Sequence, residues 1–97
     1  MPFLQGNLDT REQAEARARY LDQLAGRESA TWREVEQLIA TKRPNDYDRA
    51  VGLLVDLRDL ADRSGRTEEA AERIRDIRQR HANKPSLLKR FEKKLGR

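Results

Sequence analysis

The chain contains no cysteine, only 5% aromatic residues, and few residues that interrupt helices, namely five glycines and three prolines in 97 residues. Without cysteine there is no disulfide framework, no thiolate nucleophile and no cysteine-ligated metal site. No apolar stretch approaches the roughly 18 residues that a membrane helix needs, and the start of the chain lacks the charged and apolar regions of a signal peptide. These absences predict a cytoplasmic protein.

Leucine and alanine dominate the apolar residues, with twelve and eleven copies against six for valine and isoleucine together. This bias favours helix over strand at nearly every apolar position. Charged residues make up 39% of the chain and hydrophobic residues 36%, so any core must be thin. The length predicts one small domain.

Apolar periodicity predicts five helices joined by short turns, over about 10–25, 29–42, 46–63, 67–81 and 85–95. Residues 1–8 are expected to form a flexible N-terminal arm and residues 9–97 a single helical domain, with Asp9 as the first N-cap. Short links imply antiparallel neighbours. The predicted architecture is therefore all-α: about five antiparallel helices stacked as helical hairpins in an α-solenoid-like bundle.

The third predicted helix has the densest apolar pattern, and its apolar face is wider than one partner helix requires. An interaction surface is therefore predicted that includes Leu53, Leu57 and Leu60. It also includes Trp32 of the second helix, because tryptophan is frequent in binding hot spots. The alternative for Trp32 is a core position beside Val35 and Ile39.

The positive charge is concentrated at the end of the chain, since residues 80–97 carry seven lysines or arginines and one glutamate. The rest of the chain is net acidic. Five of these cations are candidates for contact with phosphate or an acidic partner: Lys84, Lys89, Arg90, Lys93 and Lys94. The alternative is a solvated helix whose charges the helix dipole favours.

Other polar groups are interpreted as structural. His81 suits the end of the fourth helix, and Asp56, Asp59 and Asp62 have arginines within helical reach for ion pairs. The sequence shows no nucleophile with a base, no metal-ligand set and no glycine-rich phosphate loop. It predicts neither enzyme activity nor a cofactor, and no small-molecule substrate is evident.

Two resemblances to known families follow from the helix pattern. The entry to the third helix, Asn45-Asp46-Tyr47-Asp48-Arg49-Ala50-Val51, resembles the start of the second helix of a tetratricopeptide repeat, although no copy recurs some 34 residues later as an array requires. A longer match, over about residues 32–91, resembles the helical C-terminal region of bacterial SWIM zinc-finger proteins. It rests on Trp32-x-x-Val35-x-x-Leu38-Ile39-Ala40-Thr41-Lys42-Arg43-Pro44, Tyr47-Asp48-x-Ala50-Val51-x-Leu53-Leu54-x-Asp56-Leu57-Arg58-Asp59-Leu60-Ala61 and Arg78-x-x-His81-Ala82-x-Lys84-Pro85-Ser86-Leu87-Leu88.

In the SWIM family this helical region follows a zinc motif that binds DNA or protein. The motif has no counterpart here, so its function is not carried over to any residue. Ala70 stands where the family pattern has an aromatic, and the final residues are more basic.

Together these features predict a non-enzymatic helical module for protein–protein interaction whose partner is another protein or a second copy of itself. The alternative is an accessory nucleic-acid-binding protein that contacts phosphates through the basic last helix.

Overall fold

The computed structural model describes residues 2–95, with side chains described from residue 11 onward, and it is entirely helical in its regular structure over that range. The predicted all-α fold is confirmed. The five helices are α1 (Pro2–Ala25), α2 (Glu28–Ala40), α3 (Pro44–Arg63), α4 (Thr67–Arg80) and α5 (Pro85–Leu95).

The helix starts differ from the sequence-based expectations. The first helix is predicted to begin at about residue 10 after a cap at Asp9, but α1 begins at Pro2 and runs through Asp9 without a break, so the helix includes residues 2–8 of the predicted arm. Helix α3 begins at Pro44 after an extended Arg43, one residue before the predicted cap. Proline suits that position because its missing N–H has no intrahelical partner there.

Helix α3 is the centre of the bundle and contacts each of the other four helices. Ion pairs between distant residues define the helix directions. Arg66 meets Glu28 and Arg80 meets Glu36, so α2 and α4 run in the same direction. The intervening helix α3 therefore runs antiparallel to both, as the short turns predict.

The core surrounds α3 and includes side chains from all five helices. The fully enclosed ones, with at most 2% of their surface exposed, include Leu24, Val35, Ile39, Ala50, Val51, Leu54, Leu57, Leu87 and Phe91. Among the described side chains of α1, those of residues 11–16 are all exposed, and Leu21 and Leu24 join the core. The bundle measures 50 × 26 × 22 Å.

The turn between α3 and α4 separates two pairs of consecutive helices, α2–α3 and α4–α5, which we call the first and the second hairpin; α4 and α5 pack on α3 more than on each other. Gly65 has φ +71°, a left-handed conformation that glycine adopts without steric cost. The amide of Arg66 donates a 2.8 Å hydrogen bond to the carbonyl of Ala61, which completes a Schellman-type helix end. This turn sets where the second hairpin lies on the first.

The helices were also compared with the requirements of a membrane span. Over the residues searched, no helix combines the length and the apolar character that crossing a bilayer requires.

Candidate functional site

The candidate site is a groove between α2 and α4. Both helices pack on α3, but their backbones make little direct contact with each other. The open space has a volume of about 310 Å³ and continues along α2 into a second space of about 340 Å³. The residues that line this α2–α4 groove are Trp32, Arg33, Glu36, Gln37, Glu72, Arg73, Asp76, Ile77 and Arg80.

Side-chain contacts bridge the two helices at three levels. At one end of the groove, Arg66 donates a 2.8 Å hydrogen bond to Glu28, and this bond raises the pKa of Arg66 above its ordinary value. In the middle, the guanidinium of Arg73 lies over the indole of Trp32, 4.4 Å from the ring centroid. A cation at this distance is attracted to the negative face of the ring.

At the other end of the groove, Arg80 joins both helices. Its Nη1 donates a 2.7 Å hydrogen bond to Glu36 of α2, and its Nε donates a 2.9 Å bond to Asp76 of α4. The bond to Glu36 is the main reason that the pKa of Arg80 is raised. Asp76 and Arg80 therefore form an ion pair within one helix, and Glu36 extends it across the groove.

Several polar atoms beside the groove are enclosed and unpaired. Within the described residues, Trp32 Nε1, Glu36 Oε1 and both ring nitrogens of His81 have no hydrogen-bond partner. His81 Nε2 lies 3.6 Å from Glu36 Oε1, close enough for an ion pair when the imidazole is protonated. His81 thus lies at the end of α4, as predicted, and faces a carboxylate of another helix.

The chemistry of the lining favours binding. Its described side chains combine an indole face and Ile77 with charges of both signs. Among the side chains that line the two spaces, none carries a hydroxyl or thiol nucleophile. The searched residues also contain no group of three or more His, Cys, Asp or Glu placed to hold a metal ion.

Three of the four residues of the predicted apolar interaction surface are buried within the chain. Leu57, Leu60 and Trp32 are 2%, 4% and 5% exposed, because α3 is covered on several sides by the other helices. Leu53 is half-buried against the same core. The wide apolar face of α3 is therefore explained by its central position in the bundle, and the core alternative for Trp32 is correct, although its ring also forms part of the groove.

The predicted basic contacts are divided by the structure. Lys89, Lys93 and Lys94 are exposed, whereas Lys84 is half-buried. Arg90 is engaged within the chain, since its guanidinium donates to Asp48 of α3 and to Ser86. Three of the five predicted cations thus remain open to solvent.

The acidic residues of α3 form ion pairs with α1 in addition to a longer contact along α3 itself, where Arg58 lies 3.8 Å from Asp59. Arg17 of α1 bridges Asp56 at 2.7 Å and Asp59 at 2.8 Å, and the hydroxyl of Tyr20 donates a 2.9 Å bond to Asp56. Arg63 of α3 forms a further ion pair with Asp22 of α1, at 3.1 Å. These carboxylates hold α1 on α3.

The sequence indicated part of the groove but not its assembly. Trp32 and His81 are the single tryptophan and the single histidine of the sequence, and both are visible there as candidates. Glu36 and Arg73 were missed as groove residues because nothing in the local pattern shows that α2 and α4 face each other. A helix lying two elements further along the chain has no fixed spacing signal in sequence.

Comparison with known proteins adds no family to this description. No family model matches the chain, no curated protein is similar to it, and no solved structure matches its fold. The resemblances to the SWIM-associated helical region and to a tetratricopeptide entry therefore stay predictions.

Proposed function

We propose that the protein is a non-enzymatic helical interaction module that binds a segment of another protein in the α2–α4 groove. The observation that carries the proposal is the open space between α2 and α4, which presents the Trp32 ring and its Arg73 cover between charges of both signs. Aromatic and arginine side chains are enriched where proteins bind each other. The mixed charges supply hydrogen bonds that fix the register of a bound chain.

A peptide array tests this proposal. Wild-type protein is applied to an array of random-sequence peptides, and bound peptides are re-measured in solution by fluorescence anisotropy. Arg73→Glu should weaken binding at least tenfold, because it removes the cation over Trp32 and adds a negative charge to the groove. Arg19→Glu is the matched control, since Arg19 is an exposed arginine of α1 that lines neither space. Equal binding by both variants, or no peptide bound, would contradict the proposal.

Self-association is a narrower form of the same proposal. Of the predicted apolar surface only Leu53 is partly accessible. Sedimentation equilibrium across concentrations, at low and high salt, measures it directly. A dimer that persists in high salt and is lost in Leu53→Asp would support a second copy as the partner, and a monomer at all concentrations would exclude it.

The second candidate, nucleic-acid binding through α5, is favoured by the exposure of Lys89, Lys93 and Lys94. Phosphate contacts of this kind give binding that is indifferent to sequence and falls steeply with salt. Charge reversal at Lys93 and Lys94 should abolish retention on a DNA column if this function is correct. Unchanged retention would exclude it.

A further inference from the structure

A second groove lies between α4 and α5, on the side of α4 away from the α2–α4 groove. Both helices pack on α3 and make little direct contact with each other. The space between them has a volume of about 310 Å³ and is lined by Arg75, Arg78, Gln79, Ala82 and Leu88. We refer to these five residues as the α4–α5 cleft.

The floor of the α4–α5 cleft is apolar. Leu88 is half-buried and packs against the core, so part of its side chain remains accessible from the cleft. Ala82 is exposed beside it. A volume near the lower end of the range for ligand pockets, roughly 300 Å³, accommodates one or two side chains of a partner and not a large compact ligand.

The wall of the α4–α5 cleft is basic. Arg75 is exposed and makes no ion pair within the described residues. Arg78 meets only the carboxylate of Glu92 on α5, at 3.6 Å, and the two side chains are 38% and 64% exposed. Such an exposed pair at that distance contributes little stability, so another carboxylate can replace it.

We propose that the α4–α5 cleft binds an acidic, amphipathic segment of a partner protein. One apolar side chain of the segment packs on Leu88, and carboxylates on either side of it bind Arg75 and Arg78. The charge complementarity follows from the two guanidinium groups, which match carboxylates in a bidentate geometry. The contact of Arg78 with Glu92 already shows that this guanidinium binds a carboxylate. This inference rests on the proposed function, because it assigns a partner chemistry to a second surface of the same module.

A polypeptide fits this cleft better than a nucleic acid. Binding of single strands without sequence preference relies on aromatic side chains that stack on the bases. None lines the α4–α5 cleft, and Phe91, the aromatic residue of α5, is 2% exposed in the core. An apolar floor also provides neither a positive charge nor a hydrogen-bond donor for a phosphate backbone.

Fluorescence anisotropy with designed probes tests the inference on the full chain. The probes are a labelled helical peptide of leucine, alanine and glutamate, the same peptide with lysine for glutamate, and a labelled oligothymidylate. We expect the acidic peptide to bind at least tenfold more tightly than the basic one. Arg75→Glu should weaken the binding of the acidic peptide at least tenfold.

The matched control is Arg19→Glu, because Arg19 is an exposed arginine of α1 that does not line the α4–α5 cleft. It should leave acidic-peptide binding within twofold of wild type. Leu88→Ser should also weaken the binding of the acidic peptide. The helical content of each variant, measured by circular dichroism, confirms that it is folded. Equal effects of Arg19→Glu and Arg75→Glu, or tighter binding of the oligothymidylate than of the acidic peptide, would overturn the inference.

The two proposals fail in different ways. If array peptides bind and respond to Arg73→Glu while the acidic probe does not bind, the α4–α5 assignment is wrong and the α2–α4 groove stands. If the acidic probe binds through Arg75 but no peptide responds to Arg73→Glu, the groove assignment fails and the cleft stands. If no peptide binds anywhere, both fail.

Discussion

The two hairpins of this protein contribute unequally to its core. Helices α2 and α3 contain five and seven buried residues, whereas α4 and α5 contain two each. The first hairpin therefore supplies most of the apolar area that stabilises the fold. The second hairpin packs on α3 through a narrow apolar stripe. An open space remains on each side of α4. Both candidate binding surfaces lie where the packing is thinnest.

The largest change in stability is expected when one leucine from each hairpin is truncated and the two variants are compared. Leu57→Ala should lower the free energy of unfolding by about 2–5 kcal/mol, because Leu57 is 2% exposed and its truncation leaves a cavity. Leu88→Ala should cost only about 1 kcal/mol, since part of that side chain is already in water. Urea denaturation followed by circular dichroism measures both. Equal losses would show that the second hairpin is packed as firmly as the first.

Two glycines test whether the first hairpin and the turn after it are optimised for stability. Nothing lies within 4 Å of a Cβ built on Gly52 in α3, so Gly52→Ala should stabilise the protein by about 0.5–1 kcal/mol. Gly65→Ala should destabilise it by about 1–2 kcal/mol, because φ at Gly65 is +71°. Thermal unfolding of the two variants gives the sign of each effect. A loss of stability in Gly52→Ala would indicate that a partner or a second chain packs closely on that face.

An ion pair between the hairpins is expected to contribute less than either change. A double-mutant cycle with Glu36→Gln and Arg80→Gln should give a coupling energy of about 0.2–1 kcal/mol that falls as sodium chloride is raised. The control cycle uses Glu34 and Arg49, which are 3.6 Å apart within the first hairpin and more exposed. Its coupling should be near zero. Equal couplings would mean that the α2–α4 bridge does not hold the second hairpin in place.

The smallest expected effect concerns the contact of α1 with the first hairpin. Burial, and then the hydrogen bond to Asp56, raise the pKa of Tyr20 above its ordinary value. The neutral phenol is therefore favoured in the folded state. Its contribution to stability is complete below pH of about 10 and is lost as the pH rises through the raised pKa.

Tyr20→Phe isolates this contribution from every other effect of high pH on the chain. The variant should show a shallower loss of stability than wild type when urea midpoints are compared between neutral pH and pH of about 11. Parallel losses in the two proteins would show that the Tyr20–Asp56 bond does not couple α1 to α3.

The sequence by itself determined the helical class and the approximate positions of five helices. Leucine and alanine at helical spacing, with Pro85 at a helix start and Gly65 at a helix end, are local signals that need no knowledge of the fold. The core position of Trp32 was also available from its spacing with Val35 and Ile39. Local spacing did not reveal that α1 begins at Pro2, because the predicted cap at Asp9 resembles a helix start.

The tertiary structure alone decided which surfaces are open. Leu57 and Leu60 formed a plausible interaction face in sequence, but the arrangement of four helices around α3 buries them. Arg73 and Arg75 are two residues apart on one helix, yet they line different grooves because side chains two positions apart on a helix point in different directions. Glu36 meets Arg80 and His81 across a gap of more than forty residues. Contacts of that range depend on how the hairpins pack, which no local pattern specifies.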